Sequence, residues 1–161
     1  MTTSVDHTQD ICARCGSVLA MPSDPTVAPT CGTCPPNVLA PMLGAIIENI
    51  VGKAGDDELV FHAKDGRQFK FFHHQDCCEH VSIEDVAGDL SDLIGTPILM
   101  AEEVSNEPEP TLSEDEYHES CTWTFYKFAT IKGSVTVRWL GESNGYYSES
   151  VDFIILPEAA A

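Results

Sequence analysis

Two Cys-x-x-Cys pairs, Cys12-Ala-Arg-Cys15 and Cys31-Gly-Thr-Cys34, stand fifteen residues apart, a spacing that suits one tetrahedral Zn²⁺ held by four thiolates. Four sulfurs close the coordination sphere and leave no position for substrate, so the metal's expected role is structural. Gly16 and Gly32 give the backbone room to turn its amides toward the sulfurs. Arg14 is the sole Lys or Arg in residues 1–41, so the basic footprint of a nucleic-acid-binding ribbon is missing and a protein-facing module is expected.

A second group is contiguous: His73-His74-Gln75-Asp76-Cys77-Cys78-Glu79-His80. Its imidazoles, thiols and carboxylates could hold a second metal for hydrolysis, or set Cys77 or Cys78 as a nucleophile near a base and the amino end of a helix. Contiguous side chains rarely converge on one point, however, and no spacing here matches a known metal signature. The leading expectation is therefore an ordinary polar strand-to-helix turn, with Cys77 and Cys78 pointing different ways and one of them buried. His73, His74, Asp76, Cys77, Cys78, Glu79 and His80 stand as a candidate second site, and no catalytic residue is assigned.

Twenty-six acids face eight bases, a formal net charge of −18, which opposes direct binding to nucleic acid or to anionic membranes. Between Lys70 and Lys127 lie fourteen acids and no Lys or Arg. That segment reads as a solvated face, a surface for a basic partner, or a site for hard cations, although the Ca²⁺ loop pattern is missing. No apolar run approaches the ~20 residues that cross a bilayer, and the N-terminus lacks a basic region followed by an apolar one. Seven cysteines, an odd number, argue against a disulfide framework, so a soluble protein of a reducing cytoplasm is expected.

The elements that must position these groups follow from pattern. Pro22, Pro25, Pro29, Pro35, Pro36 and Pro41 forbid a long helix through residues 16–41, leaving a loop-rich zinc module and linker over 1–41 in which the metal replaces a core. In the second domain, 42–161, strands are expected over 46–51, 58–63 and 68–72, then 122–131, 134–140 and 146–155. Asp65-Gly66, Lys132-Gly133 and Asn144-Gly145 supply the hairpin turns of two meanders. Ser82 capping toward Asp85, with Val86, Leu90, Leu93 and Ile94 on one face and Gly95-Thr-Pro97 as a stop, predicts one helix. Gly88 inside it suggests close packing on a strand, and a seventh strand is expected over 98–104. Glu107, Glu109, Glu114, Asp115, Glu116 and Glu119 make 105–119 an acidic loop. The expected fold class is α+β, an antiparallel sheet of six to seven strands with one packed helix, preceded by the four-cysteine zinc module. Trp123, Phe125, Tyr126, Phe128 and Trp139 read as cross-strand pairs and core, and Tyr146 to Ser150 as hairpin chemistry.

The stretches His74-Gln-Asp-Cys-Cys-Glu79, Ile83-Glu-Asp85, Gly88-Asp-Leu90, Asp92-Leu-Ile-Gly95, Trp123-Thr-Phe-Tyr-Lys127, Arg138-Trp139 and Gly141-Glu-Ser-Asn-Gly-Tyr-Tyr-Ser148 resemble an uncharacterised domain family of phage and bacterial proteins, over about residues 42–155. The resemblance implies a provenance and no mechanism, and the zinc-ribbon-like extension lies outside it. The function expected is a non-catalytic, zinc-stabilised acidic protein that binds a basic host macromolecule. The alternative is a metal- or cysteine-dependent hydrolase built on His73–His80. The pattern leaves the oligomeric state open.

Overall fold

Apolar residues at every second position define the strands. In 58–63 the side chains of Leu59, Phe61 and Ala63 are buried while their neighbours are not, and Phe69 and Phe71 repeat the pattern in the next strand. The computed structural model describes residues 37–106 and 120–157. Cys12, Cys15, Cys31 and Cys34, and most of the acidic stretch 105–119, lie outside the described residues.

Among the described residues, eight strands form two antiparallel sheets. The first contains β1 (Ile47–Val51), β2 (Glu58–Ala63), β3 (Gln68–Phe72) and β8 (Asp152–Leu156), ordered β1-β2-β3-β8. The second contains β4 (Glu79–Ala87), β5 (Met100–Asn106), β6 (Ser120–Ala129) and β7 (Ser134–Ser143), ordered β4-β7-β6-β5. The two pack face to face. Phe61 of β2 meets Phe128 of β6 at 5.0 Å between ring centroids, and Phe71 of β3 meets Tyr126 of β6 at 4.7 Å. Val81, Ile83, Val137 and Trp139 from the second sheet complete a single core with Leu59, Phe69 and Phe71 from the first. Such tilted aromatic pairs add to the area they bury, and the burial of both inner faces is what joins the layers.

The expected α+β class is therefore corrected to a β-sandwich. Among the described residues the helical elements are two 3₁₀ turns, Ala40–Met42 and Leu90–Leu93. The first half of the segment read as a helix, from Ser82 to Ala87, belongs to strand β4. Val81 and Ile83 alternate onto the core, but a register shift between Ile83 and Asp85 inserts one residue. The next inward apolar residue is thus the partly buried Val86, and the phase change disguises a period of two as a helical one. Asp89 does cap a turn, its carboxylate accepting from the Ser91 amide at 2.9 Å, yet only four residues of 3₁₀ geometry follow. Gly88 is packed closely, as expected, but in the bend that follows β4. Its φ is +109°, and a Cβ there would stand 2.7 Å from the Ser134 carbonyl oxygen.

The first meander, β1-β2-β3, turns at Asp65-Gly66 as expected, with Gly66 at φ +84°. The second is β5-β6-β7, closed at Lys132-Gly133 by the Thr130 amide donating to Gly133 at 2.9 Å. Asn144-Gly145 does not close a hairpin. It opens a connection that leaves the second sheet, and the strand expected over 146–155 is the shorter β8, paired with β3. No helix among the described residues is long and apolar enough to cross a membrane.

Candidate functional site

The topology brings two polar segments together. Residues 73–78 carry the chain from β3 in one sheet to β4 in the other, and residues 144–151 carry it back from β7 to β8. β3 is the neighbour of β8, and β4 is the neighbour of β7, with Phe72 opposite Asp152 and Glu79 opposite Ser143. Both crossings therefore start and finish side by side.

Glu79 organises the first crossing. Its side chain is only 2% exposed, and its two carboxylate oxygens accept the main-chain amides of Asp76 and, at 3.2 Å, Cys78. Burial pushes this carboxyl upward, but the amides of Asp76 and Cys78 and the His73 ring outweigh it, so its pKa lies below the usual value of 4.5. The His73 side chain is 5% exposed. Its Nδ1 lies 2.7 Å from the Ser150 carbonyl oxygen and must carry the proton, because a carbonyl only accepts. Its Nε2 faces Glu79 Oε1 at 3.6 Å, too far for a hydrogen bond and near enough that a protonated ring would attract the carboxylate. Gln75 donates to the Val81 carbonyl oxygen at 3.0 Å and fixes the end of the turn.

At the exposed tip, Cys77 Sγ and Cys78 Sγ lie 3.0 Å apart, and Tyr147 Oη from the second crossing stands 3.1 Å from Cys77 Sγ. The expectation that the adjacent cysteines diverge, one of them buried, is thus corrected: both are exposed and their sulfurs touch. The Cys78 thiol is pushed up, first by its hydrogen bond with Cys77, then by burial and the charges of Cys77 and Glu79, against a smaller lowering by Tyr147. A raised thiol pKa means less thiolate at neutral pH, the reverse of what a cysteine nucleophile requires. The helix terminus expected to assist it is a strand.

The second crossing is anchored from below. Glu149 is buried and accepts from Thr122 Oγ1 at 2.7 Å and Ser143 Oγ at 2.6 Å. Asp76, His74 and His80 are exposed, His74 set edge-on to Phe72 and His80 opposite Glu142 in the β4–β7 ladder. The structure therefore joins His73, Cys77, Cys78 and Glu79 to Tyr147 and Ser150, and leaves the other three apart. Among the described residues no three His, Cys, Asp or Glu side chains converge as metal donors. Tyr147, Glu149 and Ser150 carry no spacing signal, since their partners lie six to seventy-seven positions away. Only the return of β8 to β3 brings them in.

The charged groups are distributed unevenly. Lys53, Lys64, Arg67 and Lys70 all belong to the first sheet and its turns, where Arg67 meets Asp65 at 2.7 Å and Lys70 meets Glu58 at 2.5 Å. That sheet and its turns also hold Glu48, Asp56, Asp57, Glu58, Asp65 and Asp152, whereas the second sheet and its turns hold Lys127, Lys132 and Arg138 against Glu79, Glu84, Asp85, Asp89, Asp92, Glu102, Glu103 and Glu142. Arg138 answers one of them, at 3.2 Å from Asp85, and also covers the Trp123 ring at 5.1 Å.

The family model described as a domain of unknown function, DUF7448, matches residues 40–153. No curated protein and no solved structure matches the chain.

Proposed function

The chain belongs to the domain-of-unknown-function family DUF7448, and from its own residues we propose that it is a non-catalytic, zinc-stabilised acidic protein that docks on a basic protein surface. One observation carries this reading: fourteen acids and no Lys or Arg between Lys70 and Lys127, in a chain of net charge −18. A strongly acidic segment of this kind steers and selects an oppositely charged partner, and it repels nucleic acid and anionic lipid. Cys12, Cys15, Cys31 and Cys34 hold the structural Zn²⁺ in this reading, leaving the beta domain to present the charge. The likeness of its motifs to phage and bacterial proteins supports an accessory role for a phage or mobile element in the host cytoplasm.

The test is capture of host proteins on the immobilised chain across a salt series, repeated with charge reversals through Glu102, Glu107, Glu109, Glu114, Asp115, Glu116 and Glu119. A specific basic partner released by salt and lost on reversal is the expected result. Retention that ignores both salt and reversal would remove the proposal, because exposed electrostatic attraction must weaken on screening.

A further inference from the structure

We propose that Cys77 and Cys78 form a redox-modifiable dithiol, which a small-molecule disulfide converts reversibly into an intrachain ring disulfide between adjacent residues. Both thiols are exposed and their sulfurs lie 3.0 Å apart, so closure to the usual bond of about 2.05 Å needs a movement of about 1 Å. The flanks of the pair are already held, because Glu79 accepts the amides of Asp76 and Cys78. Little ordering remains to be supplied. Adjacent α-carbons are about 3.8 Å apart, closer than the roughly 4.4–6.8 Å at which disulfides usually sit, so the ring is strained and readily reduced. That is the character of a regulatory bond rather than a structural one.

Tyr147 sets the balance. Its hydroxyl is 3.1 Å from Cys77 Sγ, and its pKa is pushed up to about 12, first by that contact and then by the charges of Cys77 and Cys78. The phenol keeps its proton at neutral pH, and its oxygen accepts from the Cys77 thiol of the reduced pair. Cys121, the other free cysteine among the described residues, is half-buried on β6 opposite Glu142.

The exchange balances. The Cys77 thiolate attacks a sulfur of R–S–S–R, that bond breaks, and R–S⁻ departs to take up the proton the cysteine gave. The second thiolate then attacks the protein-bound sulfur, forms the Cys77–Cys78 bond and expels a second R–S⁻, which is protonated likewise. Two electrons pass from the dithiol to the small disulfide, and two R–SH molecules leave.

The full zinc-bearing chain, equilibrated with mixtures of oxidised and reduced glutathione, would be quenched with acid and cleaved after glutamate. Fragment 59–79 contains Cys77 and Cys78 and no other cysteine, so its mass is independent of the metal-site thiols and of Cys121. The expected product is lighter by two hydrogens and is restored by a dithiol reductant. Tyr147→Phe is expected to move the midpoint ratio about fivefold toward oxidation, the size of one lost hydrogen bond. A fragment that stays reduced, or that retains bound glutathione instead of closing, overturns the proposal. An unchanged midpoint in Tyr147→Phe overturns the part assigned to the phenol.

Discussion

His73 Nδ1 meets the Ser150 carbonyl oxygen at 2.7 Å across 77 positions of sequence, so one imidazole ties the two chain crossings of the sandwich to each other. The same ring turns its far nitrogen toward Glu79, whose carboxylate shapes the turn that carries Cys77 and Cys78. The geometry of the exposed dithiol thus depends on a buried His–Glu pair beneath it.

Replacing His73 separates its two contacts. Asn places an amide donor near the Nδ1 position, so His73→Asn should retain the bond to Ser150 and lie within about 0.5 kcal/mol of the parent chain. His73→Leu keeps volume and loses the donor, and should cost about 1 kcal/mol in urea denaturation. Equal stabilities for the two variants would show that the Ser150 contact contributes nothing.

Glu79 supplies a pH dependence of definite sign. Its folded-state pKa is depressed below 4.5, so its unfolded form binds more protons as the medium is acidified. The stabilisation is present above the ordinary carboxylate value and is lost as pH falls through the lower folded value. Asp65 and Asp89 are lowered too, by bonds from Arg67 and Ser91 respectively, so the parent curve alone cannot isolate Glu79. Glu79→Gln does: the variant should be less stable than the parent at neutral pH, with the gap closing in acid. A gap independent of pH would contradict the assignment.

Strands β2 and β3 were legible to the residue because strict alternation and an Asp-Gly turn agree there. β4 was not, since its bulge moves the inward position from Ile83 to Val86, and Ser82, Asp85 and Gly95 imitate helix signals around it. The residues of the polar crossing were visible as a group from His73 to His80, but their partners were not. Whether Cys77 faces Tyr147 is fixed by β8 pairing with β3 instead of β7, a choice made by burial of the facing aromatic layers. Local spacing holds no record of it.

The zinc reading makes a stoichiometric prediction. Elemental analysis of the reduced chain should give one Zn²⁺ per molecule, retained in Cys77→Ser and Cys78→Ser and lost in Cys12→Ser or Cys31→Ser. Release should follow acidification, because protons compete for the thiolates. A second equivalent that disappears with Cys77 or Cys78 would instead restore a metal site at the crossing.

Gly141 tests how tightly the second crossing is seated. A Cβ at this position would stand 2.5 Å from the Glu149 carbonyl oxygen and 2.8 Å from the Glu149 Cβ, so an alanine there must displace the 144–151 connection. Because Glu149 is also the acceptor for Thr122 and Ser143, the displacement strains two further hydrogen bonds. Gly141→Ala should therefore cost about 1–3 kcal/mol, as overpacking does. Gly55 is the control: its φ is +91° but nothing lies within 4 Å of an added Cβ, so Gly55→Ala meets backbone strain alone, about 1–2 kcal/mol. The two variants diverge in their effect on the dithiol. Gly141→Ala should loosen Tyr147 from Cys77 and shift the glutathione midpoint in the same direction as Tyr147→Phe, whereas Gly55→Ala should leave it in place. A midpoint moved equally by both would mean that general destabilisation, and not the seating of Tyr147, governs the thiol pair.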